Sequence, residues 1–295
     1  MYFCIKILYI MVDILELPKK DIYVIADTHG DFGFFMKNIK DFDIKNCILF
    51  IAGDCGIGFY NEKYYQNLFE NINNECIFRN IHLLMIRGNH DDPSYFNENK
   101  INFSNVKTLK DYTIVQTNDK NILCIGGGLS IDRSDRIYFF NKNVETKYEI
   151  ELEFNKNISK EEIIKHTQKT YWEDELPIYN ENLLSFINDL SFNIDYVITH
   201  TSPNFAFKSD KDGIEYWINK DENLLKDLEH ERLNVTKIYD FLIKNNNIIK
   251  KWVYGHFHER NEDNINGTRF IALSNADYTF DYHILELNSD YFNNF

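Results

Sequence analysis

Asp27 and His29 stand two residues apart where the apolar run at residues 22–26 ends. Along an extended strand, positions i and i+2 share a face, so the carboxylate and the imidazole can aim into one cleft. Oxygen and nitrogen donors of this kind suit Mn²⁺, Fe or Zn²⁺. An isolated Asp-x-His tripeptide is more often a polar pair in a loop. Here, however, four further apolar runs end in the same chemistry. They close on Gly53-Asp54, on Arg87-Gly88-Asn89-His90-Asp91, on His200, and on Gly255-His256-Phe257-His258.

The segments that carry these residues read as strands and helices in turn. Residues 22–26, 47–52 and 82–86 are short, continuous apolar runs, the pattern of parallel strands buried on both faces. Between them, residues 32–40, with Asp31 as cap, and 62–78 have apolar side chains at helical spacing. Successive strand–helix units predict a parallel sheet with its chemistry at the carboxyl ends of the strands. From 106 to 125 the strands shorten and antiparallel pairing is expected. Gly126-Gly127-Gly128 then permits either a close backbone approach to a ligand or a tight turn. Residues 129–193 read as a helical insertion or cap, with helices at 161–172 and 181–190. Further strands are predicted at 194–199, 252–254, 269–273 and 282–287, with a helical region at 214–245. His82, His166, His230 and His283 have no partner at ligand spacing and are assigned to core or surface.

Composition narrows the partners. A net charge of −14 over 295 residues repels polyphosphate and weighs against bulk nucleic-acid binding. The five cysteines (Cys4, Cys47, Cys55, Cys76, Cys124) form no C-x-x-C pair. They fit reduced thiols in a cytoplasmic protein, with Cys55 a buried filler. Residues 5–12 are apolar apart from Lys6, too short to span a bilayer and without a basic leader. They form either an edge strand or an extension, and Met11 is an alternative start. No membrane association is expected.

In type and order, the five clusters resemble the calcineurin-like metallophosphoesterase family, whose motifs are D-x-H, G-D, G-N-H-[DE], a lone H and G-H-x-H; the resemblance covers residues 21–260. It implies an α/β fold, a β-sandwich of two mixed sheets flanked by helices. The expected organisation is one domain over 1–295, with an N-terminal extension at 1–20 and the insertion at 129–193. It further implies two divalent ions (Mn, Fe or Zn, with Mn the best support of activity). One would be held by Asp27, His29 and His258, the other by Asn89, His200 and His256, with Asp54 bridging. In such a centre, ions roughly 3.5–4 Å apart lower the pKa of a bridging water from about 15.7 toward 7, and the resulting hydroxide attacks phosphorus.

By the same resemblance His90 contacts the phosphate and protonates the leaving alkoxide or stabilises its charge, and the implied activity is hydrolysis of a phosphate monoester or diester. Asp91 either orients His90 and its surroundings or is a turn residue. Arg87 is a candidate phosphate ligand, because guanidinium matches phosphoryl oxygens in a fork; a salt bridge is the alternative. The Ser/Thr phosphatase signature G-D-x-x-D-R-G is absent, and Ile57 stands where purple acid phosphatases carry tyrosine. Gly126 to Arg133 and the later Trp172-Glu173-Asp174-Glu175 look like the G-G-x-x-S-x-D and W-x-x-E patterns of a bacterial and phage branch. That likeness brings Asp132 and Arg133 toward the substrate, unless they form a local salt-bridged turn. The expected partner is a small phosphorylated substrate or a phosphoprotein. The alternatives are a Ser/Thr-phosphatase-like enzyme, a non-catalytic scaffold of the same fold, or a nuclease.

Overall fold

A computed structural model describes residues 12–154, 157–207, 213–275 and 285–287. Two β-sheets lie face to face, and the direction of alternate side chains explains why their strands read as unbroken apolar runs. In β3 (Cys47–Ala52), Cys47, Leu49 and Ile51 point to a helical layer, while Ile48, Phe50 and Ala52 point to the opposing sheet. Both faces are buried, so no polar alternation survives.

The smaller sheet places β2 (Asp21–Ile25), β3, β4 (His82–Ile86) and β5 (Val106–Thr108) in parallel, with β12 (Leu285–Glu286) antiparallel beside β2. Its outer face is covered by α1 (Phe32–Asp41), α2 (Glu62–Phe78) and α3 (Pro93–Asn97), through Phe35, Phe69 and Phe96 among others. Asp31 caps α1 by accepting from the Phe34 N–H at 2.9 Å.

The larger sheet runs β1 (Ile14–Glu16), β6 (Thr113–Thr117), β7 (Lys120–Ile125), β8 (Tyr196–Thr199), β9 (Lys251–Tyr254), β11 (Thr268–Ala272) and β10 (Asn261–Ile265). The expected switch to antiparallel pairing occurs at β6–β7, and β10–β11 forms a second antiparallel pair. Its outer face packs on α6 (Glu181–Asp189) and α8 (Leu224–Lys244). The four layers are thus helix, sheet, sheet, helix.

The region at 129–193 divides in two. Its last helix, α6, contributes Leu184 and Ile187 to the core of the larger sheet. The rest is dominated by α4 (Arg133–Phe154), for which the sequence reading predicted no helix, packed on α5 (Lys160–His166). The predicted helix at 161–172 stops at His166. The helical region at 214–245 is α7 (Ile214–Ile218) followed by α8.

The N-terminal apolar run at 5–11, with Met11 and Cys4, lies outside the described residues, as do 282–284 of the predicted last strand and His283. The N-terminal segment nonetheless supplies β1, parallel to β6 at the sheet edge. Among the described residues, no helix is long and apolar enough to cross a membrane.

Phe50 is fully buried between the sheets. Phe50→Ala is expected to lower unfolding stability by about 3–5 kcal/mol, read by urea denaturation. A loss below about 1 kcal/mol would show that the inter-sheet core does not bear on this ring.

Candidate metal centre

Every motif residue sits where a strand stops. β2 delivers Asp27 and His29, β3 delivers Asp54, β4 delivers Asn89 and His90, β8 delivers His200, and β9 delivers His256 and His258. The two sheets present these ends on one side.

Asp27, His29, Asp54 and His258 each place a ligand atom within 4.8 Å of the others. The His29 and His258 Nε2 atoms are 3.1 Å apart, and His258 Nε2 is 3.5 Å from Asp27 Oδ1. A second group adjoins through Asp54. His200 Nε2 lies 3.2 Å from Asp54 Oδ1 and 3.1 Å from Asn89 Oδ1. His256 joins it from the other side: a Cβ on Gly128 would sit 3.1 Å from Asn89 Oδ1 and 3.2 Å from His256 Nδ1. Gly128 therefore lies close against this group, while Gly127 turns the chain with φ 101°. Gly88 is held for the same reason, since its Cβ would lie 2.1 Å from Asp54 Oδ1.

The donor set matches divalent cations. Its members are carboxylate, imidazole and amide oxygen, without sulfur, and lone pairs converge that would repel if nothing cationic lay between them. Burial pushes the His200 imidazole down, but the adjoining Asp54 carboxylate outweighs burial and lifts it to about 9. Conversely, burial would raise Asp54, yet His200 and His90 hold it well below the usual carboxylate range. A proton on His200 thus supplies part of the positive charge that the carboxylates demand.

The backbone is bent to this arrangement. Asp27, His29, Asp54, His256 and His258 all have left-handed φ, between 46° and 72°. Non-glycine residues enter that region at a cost and collect there at functional sites.

Surrounding groups fix the donors. The His200 Nδ1 lies 2.9 Å from the Ala52 carbonyl, to which it donates when it carries hydrogen, leaving Nε2 toward Asp54. The Asn89 amide donates to Ser130 Oγ at 3.1 Å, and Glu175 binds both the Ser130 hydroxyl and its N–H at 2.7 Å. The serine and glutamate of the two sequence patterns are therefore partners that orient Asn89. Burial raises the Glu175 carboxyl to about 8. Glu231, on α8, approaches His256 Nε2 at 3.6 Å and leaves Nδ1 toward Asn89. Nothing in the sequence of that helix distinguishes Glu231 from the other acidic residues on it.

His90 lies beside the centre, with Nε2 4.0 Å from Asp54 Oδ2. The Arg136 guanidinium approaches the same nitrogen at 2.9 Å. Burial pushes His90 down to about 4, with Arg136 adding to the effect and Asp54 opposing it, so the ring is neutral at pH 7 in this arrangement.

For four residues the sequence left two readings open, and their surroundings are as follows. Asp91 does not touch His90: its buried carboxylate accepts from the N–H groups of Cys55, Ile57 and Gly88 at 2.8–3.0 Å, clamping the loop after β3 to the loop after β4. Arg87 is buried away from the cleft. It donates to Asp111 and to the carbonyls of Asp174, Glu175 and Leu176, which leaves its fork no donor for phosphate. Arg133 is spent on Asp221 and Asp227. Asp132 pairs with Arg136 one helical turn on, at 2.8 Å, and reaches the cleft only through it. Arg136 is the cation that faces the site. Cys55 is buried, with Sγ 3.5 Å from the Ile86 carbonyl, as a filler would be.

A model of the calcineurin-like phosphoesterase family matches residues 20–260. No curated protein matches the chain. Among solved structures, the chain is similar to phosphopantetheinyl hydrolase from Mycobacterium tuberculosis, at 12% identity over 93% of this chain and 98% of that one, with TM-score 0.41. It is also similar to a putative 5'-nucleotidase from Staphylococcus aureus, at 14% identity over 86% of this chain, with TM-score 0.41; the chain spans 48% of that protein. The inner-membrane-complex anchor GAP50 of Plasmodium is similar at 13% identity over 88% of this chain and 72% of that one, with TM-score 0.37.

Arg87 anchors the 174–176 segment to the end of β4, so Arg87→Met is expected to cost about 3–5 kcal/mol by stranding half-buried Asp111 and the carbonyls of Asp174, Glu175 and Leu176. Urea titration checks this. A variant as stable as wild type would mean that water replaces the guanidinium without penalty.

Proposed function

Because the chain belongs to the calcineurin-like phosphoesterase family, we propose that it hydrolyses a small phosphate ester at a centre of two divalent cations sharing Asp54. The observation that carries this reading is the convergence of separate strand-end donors on one buried carboxylate. Asp27, His29 and His258 would hold one ion, and Asn89, His200 and His256 the other. Ions so held supply Lewis-acid polarisation of phosphoryl oxygens and acidify water for in-line attack. The donor set suits Mn²⁺, Fe or Zn²⁺.

The protein's own groups do the rest. Arg136, kept in place by Asp132 at 2.8 Å and by donation to the Thr170 carbonyl at 3.0 Å, would turn the remaining N–H groups beside His90 to a phosphoryl oxygen. His90, held neutral with Nε2 accepting from Arg136 at 2.9 Å, would donate the hydrogen on Nδ1 to the leaving oxygen and so stabilise the charge that develops there. Of the two roles expected for this residue, stabilisation accords better with its depressed basicity than protonation does. Asp91 keeps the loops carrying Asp54 and Asn89 in register, through hydrogen bonds to the backbone of both.

His90→Ala is expected to retain its metal and lose about 10²–10⁴-fold in kcat on para-nitrophenyl phosphate with Mn²⁺. Unaltered turnover would take His90 out of the reaction. Elemental analysis of the wild-type protein after Mn²⁺ loading should give two ions per chain, and Asp54→Asn fewer than one. Two ions retained in that variant would contradict the shared carboxylate.

A further inference from the structure

Next to the metal centre, a cleft of about 330 Å³ begins at His29 and His90 and is otherwise walled largely by aromatic rings. Phe32 and Tyr65 form its buried wall, and the Tyr65 hydroxyl, donating to the Gly56 carbonyl at 3.0 Å, fixes that ring. Tyr60 and Tyr64 stand at the mouth, 60% and 43% exposed. Their ring centroids are 4.5 Å apart with planes tilted by 41°. Phe59 is braced edge-on by Trp172 at 5.3 Å. Gln168 adds one polar group at the rim.

Large aromatic side chains left open to water beside a reactive centre mark a surface meant to be covered. Position says by what. In-line displacement expels the alcohol on the side away from the attacking oxygen, and His90 is the group placed to receive it. The cleft begins at His90, so whatever the leaving oxygen carries lies against these rings. Rigid ring faces pair best with another ring, edge-on or offset-stacked, at centroid separations of about 4.5–7 Å. The volume is at the lower end of small-molecule sites, about 300–1,000 Å³. It has room for one ring system.

We propose that the cleft binds the alcohol portion of the substrate, and that this portion carries a flat aromatic ring system, as in a nucleoside or an aryl alcohol. The inference rests on the phosphoesterase reading for the phosphate, and on the cleft alone for the ring. Gln168 would meet the polar edge of a heterocycle, which favours the nucleoside.

Two matched substrate pairs test it with the Mn²⁺-loaded protein. Adenosine 5'-monophosphate and ribose 5-phosphate share a leaving oxygen and differ in the base, whereas 2-naphthylmethyl and cyclohexylmethyl phosphate differ in flatness. The ring-bearing member should have kcat/KM at least about 10-fold higher, and Tyr64→Ala should cut that ratio by about the same factor. Preference in the first pair alone assigns a nucleoside; preference in the second alone, or in both, assigns a flat ring of any kind. Equal values within both pairs overturn the proposal.

A second measurement needs no metal. With chelator present, saturation-transfer NMR should detect ring protons of adenosine or 2-naphthalenemethanol on the wild type, and weaker transfer on Tyr64→Ala. No transfer from either alcohol overturns the proposal. Transfer without hydrolysis of any ester keeps the ring site and removes the phosphoesterase reading instead.

Discussion

Asp54 is a carboxylate with almost no access to water, and the site is organised around what that costs. A buried anion is tolerated only when positive charge and hydrogen-bond donors surround it. Here the His90 N–H donates to Oδ1 at 2.8 Å, and His200 contacts the same oxygen. Asp27 is equally buried and accepts two contacts of 3.1 Å from the His256 N–H. Asp91 is neutralised differently, by three backbone N–H groups and a carboxyl raised to about 7, chiefly by burial and then by Asp54. Three carboxylates in one dry pocket repel one another. Divalent cations at the convergence of these donors would turn that repulsion into attraction.

The fold answers the geometric half of the same problem. Donors from five strands must meet within a few ångströms, yet adjacent strands of one sheet lie about 4.8 Å apart and point their chains alike. Placing β2, β3 and β4 in one sheet and β8 and β9 in the other brings the ligands together from two sides. The remaining mismatch is absorbed by the left-handed backbone at Asp27, His29, Asp54, His256 and His258. Each such residue costs on the order of 1 kcal/mol or more. The strands leading into them, buried on both faces, cannot relax to recover it.

Legibility in the sequence follows from these physics. β3, β4 and α2 were readable because burial on both sides of a strand, or on one face of a helix, leaves a run or a period. Their boundaries agree residue for residue with the expected ones. The donors were readable because each ends such a run. α4 was not, because a 22-residue helix that buries Val144 and little else has no apolar stripe to betray it. With the helix went Arg136, whose approach to His90 depends on the helical turn that separates it from Asp132. Arg87 and Arg133 stayed between substrate contact and salt bridge because nearness in sequence to a ligand says nothing about which way a long side chain turns. Arg87 runs back to Asp111 and to carbonyls almost ninety positions on, a destination that only the tertiary fold reveals.

The same division separates what is general in this site from what is particular. The strand ends hold groups that any phosphoryl centre needs, so residues of the core could supply them. Discrimination among substrates has to come from groups that touch the rest of the molecule, and these lie on segments the core does not dictate. Tyr60 and Tyr64 come from the turn into α2, where Asn61 caps the helix through its side chain. Trp172, between α5 and α6, braces Phe59 edge-on. The cleft is thus built where the insertion meets the β3–α2 loop. Changes there can alter what the alcohol portion must look like without disturbing Asp54 and its partners, since none of these side chains bears on the hydrogen bonds that hold the donors.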